Sequence, residues 1–274
     1  MTDPKWAKST ERGRYYTDPA GGPDLISITN ALGSIAKPAL IPWAAGMAAD
    51  AVIADPIVTA RRARTEPTAL RKELVAVSRE YSERAMDLGT RVHVRAVSLV
   101  LNTPHAYDEE VEPYAVQLAA WFRLWRVDFD RDVLAIETTV MHRRYGYAGT
   151  GDLWIWLPTG RFRRRQLWLV DYKTSAKKPA DTVYDEQPLQ LAALRHAPEW
   201  LLPDDTSEPA PRVHRTALLN LRPRSHRFIE VPSGRAQFRA FLGAMHTRQY
   251  LNDAPSAYPT VVPPWAPGAD RKAA

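Results

Sequence analysis

The chain has 274 residues, 45% of them hydrophobic, enough for a sizeable core built as one enlarged domain or two. With 37 basic against 31 acidic residues it carries a net charge of +6, a mild excess that suits a polyanion partner without specifying one. It has no cysteine, which excludes disulfides, cysteine-ligated zinc, iron–sulfur clusters and thiol nucleophiles, and fits a reducing compartment.

The opening MTDPKWAKSTERGRYY lacks the apolar stretch of a signal peptide. The most apolar later segment, PALIPWAAGMAADAVIA, is broken by Pro42 and Asp50 before it reaches the ~20 residues of a membrane span. The expected location is therefore the cytoplasm, with no membrane partner. Residues 1–25 are polar and rich in Gly, Pro and Asp, and predict a flexible arm. SITNALGSIAKPALIPWAAGMAADAVIAD predicts two short helices broken at Pro38, with Thr29 as N-cap of the first. A longer helical region is expected from about Thr68 to Leu101, interrupted near Gly89. Another follows in PYAVQLAAWFRLWRVDF, where Val116, Ala119, Ala120 and Leu124 recur at helical spacing.

The texture then changes. VLAIETTVMH, GDLWIWLP and RQLWLVDYKT are short, rich in branched and aromatic residues, and separated by turn signals, so they predict three successive antiparallel strands. DEQPLQLAALRHA reads as a helix, VHRTALLNLRP and HRFIEVP as two further strands, and residues 234–250 as a closing helix. A Pro- and Ala-rich tail is expected over 252–274. Trp121, Trp125, Trp154, Trp156 and Trp168 are expected in the core rather than as base-stacking platforms. The order predicts a mixed α+β fold, a single domain over 26–251 with a helical part (26–128) and a sheet core (129–251).

Side chains alternate along a strand, so Leu167, Leu169, Asp171 and Lys173 share one face while Trp168, Val170 and Tyr172 share the other. If LPTGRFRRR closes a hairpin, the start of the preceding strand lies beside the end of this one. Asp152, which follows a glycine-rich turn, then neighbours Asp171. Two carboxylates that close repel unless one is neutralised or a cation sits between them. Hard oxygen ligands of this kind suit Mg²⁺ or Mn²⁺, and a lysine beside them can steady negative charge developing on a phosphodiester. The plainer alternative is an exposed Asp171–Lys173 ion pair worth at most ~1 kcal/mol.

The ordered set GTGD, DYKT and QLAAL, preceded by GTRVH, resembles the PD-(D/E)XK nuclease superfamily, and within it the RecB-like exonuclease branch that includes the CRISPR-associated adaptation nucleases and phage-encoded relatives. The likeness covers roughly residues 26 to 245 and includes a helical leader similar to that of phage members. It implies a restriction-endonuclease-like core, a small mixed sheet flanked by helices with a helical N-terminal extension. It implies that His93, Asp152 and Asp171 bind Mg²⁺ or Mn²⁺, with the Tyr172 carbonyl as a further ligand. Lys173 would position the attacking water and stabilise the transition state. Gln190 would contact the region of the nucleophile or the DNA backbone, with Gln187 the alternative glutamine. Glu137 would assist a second metal or hold Lys173; buried and partnered, with Ala135 and Thr139 on its face, is its alternative. Two departures stand out: Leu194 occupies the position of an expected tyrosine, which Tyr184 would have to replace, and the cysteines of an iron–sulfur cluster are absent.

Arg161, Arg163, Arg164 and Arg165, in the turn expected beside the site, and Lys177 and Lys178 just after the strand, are candidates for binding phosphates. The run RRAR at 61–64 is a weaker one. The resemblance thus implies a metal-dependent deoxyribonuclease, an exonuclease acting on DNA ends or single strands in phage-type recombination or replication, in the host cytoplasm if phage-encoded. Alternatives are a catalytically idle DNA-binding or assembly subunit and a structure-specific endonuclease. There is no P-loop, so any helicase would be a separate partner.

Overall fold

The computed structural model describes residues 4–261 and 263. At its centre stand β4 (Val133–His142), β5 (Tyr147–Thr159) and β6 (Arg164–Thr174), the three strands expected from their branched and aromatic runs. Both pairings are antiparallel. β9 (Arg215–Arg222) adds parallel to β6, and β10 (Ser225–Glu230) adds antiparallel to β9, which makes the sheet mixed. The alternation in β6 holds: Leu167 and Leu169 enter one apolar cluster, Trp168, Val170 and Tyr172 the other.

Helices cover both faces. α1 (Ile28–Leu32), α7 (Glu186–His196) and α8 (Arg235–Asp253) supply the cluster around Leu169, Leu191 and Phe241. α4 (Pro67–Val100) and α5 (Glu112–Trp125) supply the other, around Val92, Leu118, Trp121 and Val170. Trp121, Trp154 and Trp168 are buried, and Trp125 and Trp156 pack against the clusters, as core tryptophans should.

Several elements differ from the sequence reading. Residues 1–25 are not simply an arm: β1 (Ala7–Thr10), β2 (Gly13–Tyr16) and β3 (Leu25–Ser27) extend the sheet to ten strands, together with β7 (Glu199–Leu201) and β8 (Ser207–Pro209). Tyr16, Leu25 and Ile26 are buried there, and Arg143 pins the segment by two hydrogen bonds to Asp18, 2.8 and 3.0 Å long. The polar composition hid these few buried anchors. Ser27, not Thr29, caps α1, its hydroxyl accepting from the Asn30 N–H at 3.0 Å. After Pro38 come two helices, α2 (Leu40–Ala54) and α3 (Pro56–Thr65). α5 buries Tyr114, Ala115, Leu118, Trp121 and Phe122, whereas Val116 and Leu124 are exposed. The three aromatics outweigh the smaller stripe, because they remove more apolar area from water. α6 (Phe129–Asp132) is a short turn before β4. The expected tail begins inside α8, and residues 264–274 lie outside the described residues.

Among the described residues no single helix is long and apolar enough to cross a membrane; α2 and α3 together reach the composition only across a 99° bend.

Two glycines set the geometry that follows. α4 continues without interruption through Gly89, where a Cβ would lie 3.3 Å from Thr174 Oγ1, so the missing side chain lets the helix close on the end of β6. Gly151 lies inside β5 rather than in a turn, and a Cβ there would meet the buried Trp154 ring at 2.3 Å. Gly151→Ala should therefore destabilise the protein by about 1–3 kcal/mol, read as a lowered urea midpoint, because overpacking a filled core forces side chains off their rotamers. An unchanged midpoint would mean that Trp154 has room to move.

Candidate metal centre

The hairpin of β5 and β6 pairs Leu153 with Val170, so the next residues outward, Asp152 and Asp171, stand opposite each other at its open end. Both are buried, 6% and 3% exposed, which rules out the plain surface ion pair. Lys173 is on the same face as Asp171, one alternation on, and its ammonium lies 2.7 Å from Asp171 Oδ2. Gln190, from α7, closes the set: its Nε2 donates to Asp171 Oδ1 at 2.9 Å and its Oε1 accepts from Lys173 Nζ at 3.1 Å. An amide carries separate donor and acceptor atoms and so serves the acid and the ammonium at once. Gln187 does different work, its Oε1 accepting from the Tyr184 N–H at 2.9 Å at the start of α7. Tyr184 itself is 46% exposed.

The second half of the site comes from α4 and β4. His93 is one helical turn beyond Gly89, on the same face of α4, so the close approach allowed by the glycine carries the imidazole to the strand ends. His93 Nδ1 lies 3.0 Å from Glu137 Oε1 and 3.4 Å from Asp152 Oδ1. Glu137 departs from the strand alternation that would place it with Ala135 and Thr139. Its φ is +46°, a left-handed conformation inside a strand, and its carboxylate meets the histidine on α4. A non-glycine residue held there costs about 1–3 kcal/mol and persists only where its surroundings enforce it.

The protein thus brings together all six side chains and the backbone of Tyr172. The Tyr172 N–H donates to Asp152 Oδ2 at 2.6 Å, and its ring stands edge-on to His93, centroids 5.7 Å apart. The grouping differs from the expected ligand set in one respect. His93, Glu137 and Asp152 have donor atoms within 4.8 Å of one another and could hold a metal ion, with Glu137 rather than Asp171 as the third member. Asp171 is taken up by Lys173 and Gln190, although its Oδ2, close to the ammonium, has no hydrogen bond of good geometry.

The electrostatics follow from three carboxylates sharing a buried space. Burial pushes the Asp152 carboxyl above its ordinary range; His93 opposes this, and the charges of Asp171 and Glu137 add to it. Burial alone would push His93 down, but Asp152, then the hydrogen bond and charge of Glu137, and then Asp171 outweigh it and hold the imidazole up at about 9. Lys173 shows the same balance: burial favours the neutral amine, yet Asp171 and Asp152 raise its pKa, so it remains an ammonium. Burial, with Asp152 and Glu137, keeps the Tyr172 phenol neutral. Two cations face three anions. Exchanging the imidazole proton for a divalent cation brings the group to neutrality, and the under-satisfied Asp171 Oδ2 fits an added positive charge.

The basic candidates divide. Arg161, Arg163, Arg164 and Arg165 are not beside the site: they sit at the closed end of the hairpin, about 23 Å along β6 from Asp171 at ~3.3 Å per residue. The aspartates occupy the open end of the same hairpin, so the turn must lie far from them. Arg165 is tied to buried Asp132 at 2.5 Å. Lys177 and Lys178 do follow the site closely and are exposed, with the Lys177 ammonium 5.1 Å above the Tyr81 ring of α4.

Two functional positions escaped the sequence reading. Asn220 and Arg222, buried on β9, hold the segment that follows Lys173. Asn220 donates to the carbonyls of Ala180 (2.7 Å) and Thr182 (2.9 Å); Arg222 donates to those of Lys173 (3.1 Å), Lys178 (2.6 Å) and Pro179 (2.8 Å). A signal existed, since NLR ends an apolar strand on polar residues two apart, just as DYK does.

The arrangement is an acidic group that could hold a metal ion, with a half-buried lysine beside it, built at the open end of a hairpin. No protein-family model matches the chain and no curated protein matches its sequence.

A histidine ligand must lose its proton, so cation and proton compete at His93. Mn²⁺ affinity should rise with pH until about 9: by up to about tenfold per unit between about 7 and 9, where His93 alone gives up a proton, and more steeply below about 7, where Asp152 is protonated as well. Titration calorimetry between about pH 7 and 9 checks this, and a pH-independent affinity over that range would remove His93 from the ligand set.

Proposed function

We propose that the protein is a divalent-metal-dependent deoxyribonuclease, an exonuclease acting on DNA ends in phage-type recombination or replication. One observation carries this reading: an Asp152–Asp171–Lys173 set, its two acids buried, completed by Gln190, His93 and Glu137 and gathered from five separate elements at the open end of the hairpin. Buried charge of this density is costly to assemble and has little value for stability alone. The ordered likeness to RecB-like nucleases adds the reaction class, the end preference and the setting.

His93, Glu137 and Asp152 would hold Mg²⁺ or Mn²⁺, with Asp171 and the Tyr172 carbonyl completing the ligand set. When bound, the cation supplies an acidified water and neutralises charge on the scissile phosphate. The residues of the chain do the rest. Tyr172 N–H fixes Asp152, and Glu137 fixes the ring of His93. Gln190 and Asp171 aim the Lys173 ammonium, which is held charged and therefore acts on the phosphate as a cation, orienting water and steadying the developing negative charge, rather than as a base. The imidazole favours a transition ion over Mg²⁺, so Mn²⁺ should support activity at the lower concentration. Lys177 and Lys178 would meet phosphates next to the site.

Purified protein incubated with linear and covalently closed DNA should degrade the linear forms alone, and only with metal. Lys173→Ala should lower the rate by about 10²–10³-fold, as loss of one preorganised charge donor does, with circular dichroism showing that the variant is folded. Cutting of closed circles would make it an endonuclease. Binding without cleavage under either metal would leave a DNA-binding subunit.

A further inference from the structure

The closed end of the β5–β6 hairpin carries charge and an aromatic ring that the centre does not use. Four residues, Gly160 to Arg163, join the strands, closed by the Arg163 N–H donating to the Gly160 carbonyl at 3.1 Å. Phe162 at the tip is 83% exposed. Arg161, Arg163 and Arg164 around it are exposed and make no ion pair among the described residues, in contrast to Arg165 with its Asp132. Arg163 has φ +49°, where glycine would sit without strain. Three exposed guanidinium groups without ion pairs, next in sequence to a bare aromatic ring at the end of a two-stranded arm, suit a partner that is both anionic and flat.

We propose that this tip is a second nucleic-acid contact, in which Phe162 stacks on a base of a single strand while Arg161, Arg163 and Arg164 hold its phosphates. The choice of ligand rests on the nuclease reading of the centre; the chemistry of the tip is its own. Stacking is open to any base because each offers a π-face, so the contact tracks a strand without reading its sequence. An anionic membrane is the less suitable partner, because one phenyl ring among three arginines offers little apolar surface to bury. The strand from Arg164, at the base of the tip, to Asp171 spans about 23 Å, so the tip is at least about seven nucleotides away at ~3.4 Å each along a stacked strand. The tip would hold the strand at least that far from the bond being cut.

The test is binding of the full chain to a fluorescent oligothymidylate of about 20 nucleotides, longer than the usual sites of about 4–16, measured by anisotropy in EDTA over a salt series. Phe162→Ala should weaken binding at least about fivefold with an unchanged salt slope, and Phe162→Trp should restore it. Replacing Arg161, Arg163 and Arg164 together by Ala should flatten the log–log salt slope by about 2, at ~0.7 per phosphate on a single strand. Wild-type binding by Phe162→Ala, or sedimentation with phosphatidylserine vesicles in place of oligonucleotide binding, would overturn the proposal. Cleavage with Mn²⁺, assayed in parallel, separates the two readings. Cleavage with unaltered Phe162→Ala binding sinks the tip alone; weakened Phe162→Ala binding without any cleavage sinks the nuclease alone.

Discussion

Asp152 and Asp171, buried and facing each other at the open end of the hairpin, are the constraint around which the other elements are arranged. Two carboxylates cannot both keep their charge there without cations brought to them. The fold brings two, from opposite faces of the sheet: Lys173 within β6, aimed by Gln190 of α7, and His93 on α4, aimed by Glu137 of β4. Without α4 the acids would lose one cation, and without α7 the Lys173 ammonium would lose the amide that aims it. The two apolar clusters act as clamps, one delivering the histidine and the other the amide that aims the lysine.

The backbone serves the same end. Gly89 lets α4 approach Thr174, and one turn later His93 reaches the acids. Glu137 accepts a left-handed conformation to leave the alternation of its strand. Asn220 and Arg222 hold five carbonyls of the segment from Lys173 to Thr182, so the lysine and the basic residues after it are presented on a fixed rather than a loose loop. Preorganisation of this kind is what an electrostatic centre requires, because charges that must first be moved into place stabilise little.

The parts legible in the sequence were those set by short-range periodicity and by order along the chain. The period of two placed Asp171 and Lys173 on one face, and hairpin closure placed Asp152 beside Asp171, whereas His93 entered only through the order of motifs along the chain. What was not legible depends on side-chain size and on long-range packing. The N-terminal strands are held by Tyr16, Leu25 and Ile26, too few to stand out in a polar stretch. The buried face of α5 was misread because the stripe of Val116 and Leu124 has the same period as that of Leu118, Trp121 and Phe122. Glu137 as the third member of the histidine group rests on a single backbone torsion, which no pattern of residue types encodes. The position of the arginine turn, at the far end of the hairpin from the acids, follows from hairpin geometry alone.

The most direct test of the account is an anomalous-scattering map from crystals of the protein soaked in Mn²⁺. The account predicts a peak among His93, Glu137 and Asp152, at the end of the hairpin and beside the Lys173 ammonium. An ordered site with the histidine still bonded to Glu137 and no peak there, in crystals at saturating Mn²⁺, would contradict it. The cluster would then be a self-neutralising ion network rather than a metal centre.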